Sequence, residues 1–410
     1  MITRRVLLGA ASAIALLSTS APAFADVVKL GVLAPLTGPA SADGQEVVNG
    51  AKLAAEELNA AGGVAGHTFA VVVADVGDGS PDKVATAVER LLGDPDMGGV
   101  FSAYASTTNF EIETMAEQDM VYLIGANSQQ TQDIIAPAPD DFPTVWSLTP
   151  SYDAYNTEIV PVVEELVKAG KLQLPNRKVA IISSDNPYSK GIADGMTKAF
   201  EEAGWEISVN ELVPFGEIGD WRAFLGKVRQ DPPALLINTD YLPGNAATFM
   251  TQFMEKPTNS LVFIQYAPSV PEFLDLTKEK SSGVLYNLLG GMLLSPSNPR
   301  AQEVTDKYKA KFNLEPGTYG PLLYEEVMIY ADALAKVKDP GQRKEIGLEI
   351  GRTDKQTGQG RTRFDPATHL AVQGGDGVPL QFFQIQDGKR VLFHPGKYAT
   401  GEFVQPAWMK

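Results

Sequence analysis

Histidine is scarce and solitary in this chain. His67, His369 and His394 are the only three, and none has a second histidine at metal-ligand spacing. A single histidine without a partner base, acid or ligand is a poor catalytic candidate. No G-x-S-x-G turn, H-E-x-x-H pair, Walker A loop or G-x-G-x-x-G turn occurs. The absence of cysteine removes thiol nucleophiles, disulfides and cysteine-ligated zinc or iron–sulfur sites. Asp75-Val76-Gly77-Asp78-Gly79 begins like a calcium loop, but glycine fills its third and fifth positions and Ser80 its sixth, so it reads as a turn. The residue types on offer suit recognition rather than turnover, and neither a cofactor nor a metal is expected.

The recognition candidates fall where apolar runs end. Ala105-Ser106 and Thr107-Thr108 follow one such run and open a helix, where free N–H groups and hydroxyls suit a carboxylate; the same hydroxyls would also serve a plain helix cap. Gly125-Ala126-Asn127-Ser128 is a polar loop behind the next run. Further on, Tyr188 follows Asn186-Pro187, Tyr241 follows Asp240, and Tyr266 follows Gln265. Each tyrosine alone could be a packing residue. On neighbouring strand ends they would form one wall that buries an apolar or aromatic ligand and offers it hydroxyls.

Alternating strand and helix signals must position these residues. Val27, Val28, Leu30, Val32 and Leu33 make a first strand, which Pro35 and Gly38-Pro39 break into a loop. A helix follows whose inner stripe is Val47, Ala51, Ala54 and Leu58, and Gly62-Gly63 ends it. Strands are expected at 71–74, 98–101 and 121–124, with helices from Pro81 and over about 107–119. After the segment Trp146 to Pro150 comes a helix over about 154–168. Strands at 178–182, 206–212, 235–238, 261–264 and 284–288 follow, separated by helices at about 189–203, 219–229 and 243–254. Helices at about 298–311 and 322–337 lead to a tail in which Phe382–Ile385 and Arg390–Phe393 flank the tight-turn pair Asp387-Gly388.

Met1-Ile2-Thr3, Arg4-Arg5, the apolar segment 6–17 and Ala23-Phe24-Ala25 have the layout of a cleavable export signal, cut after Ala25. The apolar stretch is too short to span a bilayer. Thr3 to Leu8 also resembles a twin-arginine motif, with Gly9 where a lysine is common. Losing the signal leaves 32 basic against 50 acidic side chains, a formal charge of −18. Such a surface repels nucleic acid and favours solubility. The remaining length exceeds what one core normally organises and implies two domains.

The opening Val27 to Gly66 resembles the type I periplasmic binding proteins of the branched-chain amino acid and amide class. The shared motifs are Leu36-Thr37-Gly38-Pro39, the span from Gly44 to Gly50-Ala51, and the turn from Asn59 to Gly66. The resemblance covers nearly the whole mature chain, most strongly before residue 205. It implies an α/β fold of two Rossmann-like lobes joined by a three-strand hinge, with lobe one at 27–147 plus 297–355 and lobe two at 148–296 plus 356–400. It also implies that Gly125 to Ser128 is a second carboxylate-and-ammonium loop. Two departures bear on the ligand. Ala105 stands where amino-acid binders carry a serine against the ligand carboxylate, with Ser106 beside it, and Gln265 or Tyr266 stands where they carry a glutamate for the ammonium. Asp43 occupies the place of a cleft aromatic and is a replacement acid, or else an Asx turn with Gly44.

The resulting expectation is a periplasmic, monomeric substrate-binding component of an ABC uptake transporter, not an enzyme. Its partners would be a small solute (an amino acid, amide or carboxylate) and a membrane permease, with no nucleic acid and no stable membrane insertion. The solute would dock on lobe one through Ser106, Thr107, Ala126 and Ser128, and lobe two would close Tyr188, Tyr241 and Tyr266 over it. The alternatives are a periplasmic sensor presenting to a receptor kinase and, more remotely, a periplasmic enzyme.

Overall fold

The computed structural model describes residues 26–409; the expected export signal lies outside them. Strands β1 (Asp26–Ala34), β2 (His67–Asp75), β3 (Met97–Ser102), β4 (Tyr122–Ile124) and β5 (Val145–Ser147) form a parallel sheet in the order β2-β1-β3-β4-β5. Helices cover both faces, which is why its strands are apolar nearly throughout. On β1, Val28, Leu30 and Val32 join one core cluster while Leu33 joins another on the opposite face.

The second sheet contains β6 (Lys178–Ser184), β7 (Glu206–Val213), β8 (Leu235–Asn238), β9 (Leu261–Ile264) and β10 (Leu285–Leu288), all parallel. A small hairpin, β11 (Asp354–Thr357) and β12 (Gly360–Arg363), stands apart. Strands β13 (Gln381–Gln386) and β14 (Lys389–His394) then extend the second sheet antiparallel, giving β14-β13-β10-β9-β8-β6-β7. The turn between β13 and β14 has Asp387 at φ 49° and Gly388 at φ 75°, the backbone expected of that pair in a tight hairpin.

The glycines of the opening motif permit close approaches. A Cβ on Gly44 would lie 2.2 Å from the Pro35 carbonyl oxygen, and one on Gly50 would lie 1.9 Å from that of Gly320. The helix Ser41–Ala60 therefore seats its first turn against the loop after β1 and crosses the helix Tyr319–Val337 backbone to backbone. Asn59 closes the turn beyond it by exchanging two 2.8 Å hydrogen bonds with the Phe69 backbone.

The chain passes between the sheets' layers three times, and the three segments touch. Gln359 Nε2 donates to Leu148 O at 2.8 Å, Leu293 N donates to Gly358 O at 2.8 Å, and a Cβ on Gly290 would meet Thr149 Oγ1 at 2.8 Å.

Several expectations are corrected. The segment around Trp146 is strand β5, paired with β4. The helix expected over 107–119 is confined to Glu111–Glu117, because Asn109 takes a left-handed φ of 55° and no α-helix runs through it. The helix expected over 154–168 is two pieces, Asp153–Thr157 and Ile159–Lys168, and Pro161 has no N–H to return to Thr157 across the break. The helices Pro271–Thr277 and Arg343–Gly351 and the β11–β12 hairpin were not anticipated from the sequence.

Candidate functional site

The carboxyl ends of β3 and β4 lead into two loops that brace each other. Asn109 and Asn127 both sit at left-handed φ, 55° and 53°. Asn109 Nδ2 donates to Asn127 O at 3.1 Å and to Thr131 Oγ1 at 2.8 Å, while Asn127 Nδ2 donates to Ser106 O at 2.9 Å. Asparagine tolerates this conformation because its amide can satisfy the local backbone. Beneath the first loop, Ser106 Oγ donates to the buried Glu111 Oε2 at 2.6 Å and Tyr122 donates to Glu111 Oε1 at 3.1 Å. Burial holds the Glu111 carboxyl above the ordinary range.

From the opposite side come the ends of β6, β8 and β9. Asn186 caps the helix Pro187–Glu202 by accepting from Ser189 N at 2.9 Å, which fixes Tyr188 in its first turn. Asp240 accepts from Leu242 N and from Asn245 Nδ2, both at 2.9 Å, and burial raises its pKa to about 6. Tyr266 is the centre of a γ-turn at φ 60°, ψ −55°, closed by Ala267 N donating to Gln265 O at 2.7 Å. That turn type is rare and strained, and strain of this kind persists only where surrounding contacts impose it.

Between the two sets of strand ends lies a cavity walled chiefly by tyrosines. Tyr104, Thr107, Ala126 and Asn127 line it from the first sheet, and Asn186, Tyr188, Tyr241 and Tyr266 from the second, with Tyr319 completing the wall. It holds about 380 Å³ of empty space, mouth included. The rings meet edge to face, with Tyr104 and Tyr319 at 5.7 Å, Tyr188 and Tyr241 at 5.8 Å, and Tyr152 and Tyr188 at 5.3 Å between centroids. Such contacts hold the rings without sealing their faces. Burial keeps the phenols protonated, their pKa values above the ordinary range.

One bond pair spans the cleft. Asp43 Oδ2 accepts from Tyr104 at 2.8 Å, and its Oδ1 accepts from Tyr266 of the other side, also at 2.8 Å. Burial raises the Asp43 pKa to about 6 against these two bonds. One turn further along the same helix, Glu46 takes the backbone N–H groups of Gly317, Tyr319 and Gly320, tying that helix to the start of Tyr319–Val337. Burial, then the neighbouring Asp43, raise Glu46 to about 7.

The residues singled out from the sequence separate accordingly. Thr107, Ala126, Tyr188, Tyr241 and Tyr266 line the cavity. Asp43 stands directly behind the Tyr104 and Tyr266 hydroxyls. Ala105 and Ser106 face an adjoining recess shared with Pro35, Pro39 and Phe215, and the Ser106 proton is engaged by Glu111. Ser128 is fully buried beside the Tyr152 hydroxyl, and Gln265 is buried with its Nε2 donating to Tyr188 at 3.2 Å. Sequence reasoning missed Tyr104 and Tyr319. Tyr104 directly precedes Ala105, and a scan for aromatics at every strand end would have found it. Tyr319 begins a helix that was expected to start three residues later. Among the described residues, no group of three or more His, Asp and Glu side chains could hold a metal, and no helix is long and apolar enough to cross a membrane.

Residues 27–389 match the family model described as periplasmic binding protein. The chain belongs to the periplasmic binding protein family. This binding protein is 25% identical over 413 residues to the Leu/Ile/Val-binding protein homolog 7 of Brucella suis biovar 1, covering 97% of this chain and 98% of that one. It is 23% identical to the leucine-, isoleucine-, valine-, threonine- and alanine-binding protein of Pseudomonas aeruginosa over 341 residues, 83% and 86% of the two chains. Its fold is similar to the crystal structure of a putative branched-chain amino acid ABC transporter protein from Silicibacter pomeroyi, with TM-score 0.83, 28% identity, and coverage of 94% and 100%. It is also similar to LivJ of Streptococcus pneumoniae in complex with isoleucine, with TM-score 0.73, 21% identity, and coverage of 93% and 100%. The architecture is that of type I binding proteins, two α/β lobes with a cleft between them.

Proposed function

We propose that this chain is the periplasmic substrate-binding component of an ABC uptake transporter that captures a small solute of the amino-acid class and releases it unchanged to a permease. The observation that carries the reading is the cleft-spanning cavity, whose walls come from strand ends of both sheets and whose lobes are joined by Tyr266 and Asp43. A site assembled only when two lobes meet binds tightly only in the closed form, so the solute itself drives closure. Thr107 and the loop at Ala126 receive the solute's carboxylate end on lobe one, and Tyr188, Tyr241 and Tyr266 cover it from lobe two.

In this reading lobe one comprises 27–147 plus 297–355 and lobe two 148–296 plus 356–400. The three touching passes at 148–149, 290–293 and 358–359 act as the hinge. The names of the relatives support an amino-acid solute, and the signal-like residues 1–25 support export.

A thermal-shift and scattering series on residues 26–410, refolded to remove bound solute, tests this. The panel contains leucine, isoleucine, valine, small amides, ureas and aromatic acids. A solute at a hundred times its Kd adds about 2.7 kcal/mol of stability. The expected result is a selective shift with one class, accompanied by a smaller radius of gyration. No shift from any class, or chemical turnover of a bound one, would defeat the proposal.

A further inference from the structure

We propose that Asp43 sets the hydrogen-bond polarity of the cavity: by holding the protons of Tyr104 and Tyr266 it leaves both phenol oxygens only as acceptors beside a buried negative charge, so the site selects a solute that places a hydrogen-bond donor between them, a protonated amine above all. The inference rests on the reading of this cavity as the solute site.

A phenol carries one proton, and a carboxylate offers acceptors alone. Both oxygens of Asp43 are engaged, one by each ring, at 2.8 Å. Tyr104 and Tyr266 line the cavity while Asp43 does not, so a solute meets its charge through two hydroxyls and not by contact. Charge-assisted bonds of this kind polarise the phenol oxygens further toward accepting.

The surroundings favour a cation at that end. None of the residues lining the cavity is Lys, Arg or His. Glu46 lies one turn from Asp43, and Glu272 acts on Asp43 from the second lobe with the same sign. Tyr319 packs against both rings, at 5.7 Å from Tyr104 and 5.5 Å from Tyr266, adding aromatic electron density around the same point. Tyr188 has the opposite polarity. Its oxygen accepts from Gln265 Nε2, which frees its own proton to donate into the cavity. The cavity thus offers acceptors at one end and a donor at the other, the pattern a zwitterion satisfies.

Asp43 is accordingly a positioning residue that acts through Tyr104 and Tyr266, in a place where a carboxylate touching the amine would be the simpler device. The consequence is a specific discrimination: an amine must be preferred to an isosteric oxo or hydroxy group.

Calorimetry at pH 7.5 with matched pairs reads this directly, using leucine, isoleucine and phenylalanine each against its 2-oxo and 2-hydroxy acid. For at least one pair the amine should bind about 10- to 100-fold tighter, the value of a charged hydrogen bond. Asp43→Asn should abolish most of that preference by weakening the amine much more than the oxo acid. Tyr266→Phe, which keeps the acid and removes one acceptor oxygen, should weaken the amine about 10-fold more than the oxo acid, over and above the loss both share from the broken lobe-to-lobe bond. Equal or tighter binding of the oxo acids to the wild-type protein would overturn the proposal while leaving solute capture intact. So would an Asp43→Asn or Tyr266→Phe protein that keeps the full preference. Failure of every amine and every acid to bind would sink the capture of amino-acid-class solutes, and this inference with it.

Discussion

Asn109 and Asn127 stand 18 residues apart in sequence, both in the left-handed conformation, and each amide bonds the other's loop. This pair holds the ends of β3 and β4 at a fixed distance, and Thr107 and Ala126 enter the cavity from the two loops so held. Replacing Asn127 by alanine removes its bonds to Ser106 and Asn109 and leaves a Cβ residue at positive φ. Replacing it by glycine removes the same bonds but relieves the backbone. Alanine should therefore cost about 2–4 kcal/mol of stability and glycine about 1 kcal/mol less. Urea unfolding of the two variants measures the difference; equal losses would show that the conformation of Asn127 carries no cost.

The strained turn at Tyr266 predicts a shift in shape. The Tyr266 backbone is held at φ 60° while its hydroxyl bonds Asp43 of the other lobe. Losing that hydroxyl removes the contact that opposes the strain in the closed form. Tyr266→Phe should move the solute-free protein toward the open form by about 1.5–3 kcal/mol, the worth of a hydrogen bond to a charged group. Small-angle scattering, or energy transfer between dyes on the two lobes, should report a wider solute-free ensemble. An unchanged distance distribution would mean that the bond does not hold the lobes together.

Much of the scaffold is readable from residue spacing, and the site is readable in part. The buried stripe of the first helix, the strands at 235–238 and 261–264, and the hairpin at Asp387-Gly388 follow from apolar period and turn chemistry, which are local. Strand β5 has three residues, Val145 to Ser147, too few to display a period, and only its pairing with β4 defines it. The asparagine turns at 109 and 127 truncate helices for reasons seated in another loop. Asp43 was visible as an unusual acid. Its pairing with Tyr104 and Tyr266 was not, because these lie 61 and 223 residues away, and Tyr266 reaches it only from the other lobe.

Acid pH should favour the folded protein through Glu46. Its pKa is about 7 in place and 4.5 ordinarily, so the folded state holds a proton that the unfolded chain has released. The stability contributed is fully present below about pH 4.5 and is lost as pH rises through 7; Asp43, at about 6 against 3.8, acts with the same sign. Between pH 5 and pH 8 the wild-type protein should lose about 2.5 kcal/mol more than Glu46→Gln loses. Urea titrations of both proteins across that range check the slope. Parallel curves would show that Glu46 remains ionised despite its burial.

Glu326 presents the opposite case, a buried acid whose carboxyl is poorly satisfied. It is fully buried in the helix Tyr319–Val337 behind the Gly125 loop, where a Cβ on Gly125 would lie 3.2 Å from its Oε1. Neither carboxyl oxygen makes a hydrogen bond of good geometry among the described residues, the Ser102 backbone being the one group that opposes the effect of burial, and burial holds its pKa well above the ordinary range. A neutral carboxyl without partners costs about 1–3 kcal/mol relative to an apolar side chain of the same shape. Glu326→Met conserves length and volume and removes the polar atoms, so it should stabilise the protein by about that amount while leaving solute affinity within about twofold. Thermal unfolding and calorimetry on the same preparation give both quantities. A more stable protein with intact binding would identify Glu326 as a structural burden. A large loss of affinity would instead show that its carboxyl holds the Gly125 loop in the geometry the solute needs.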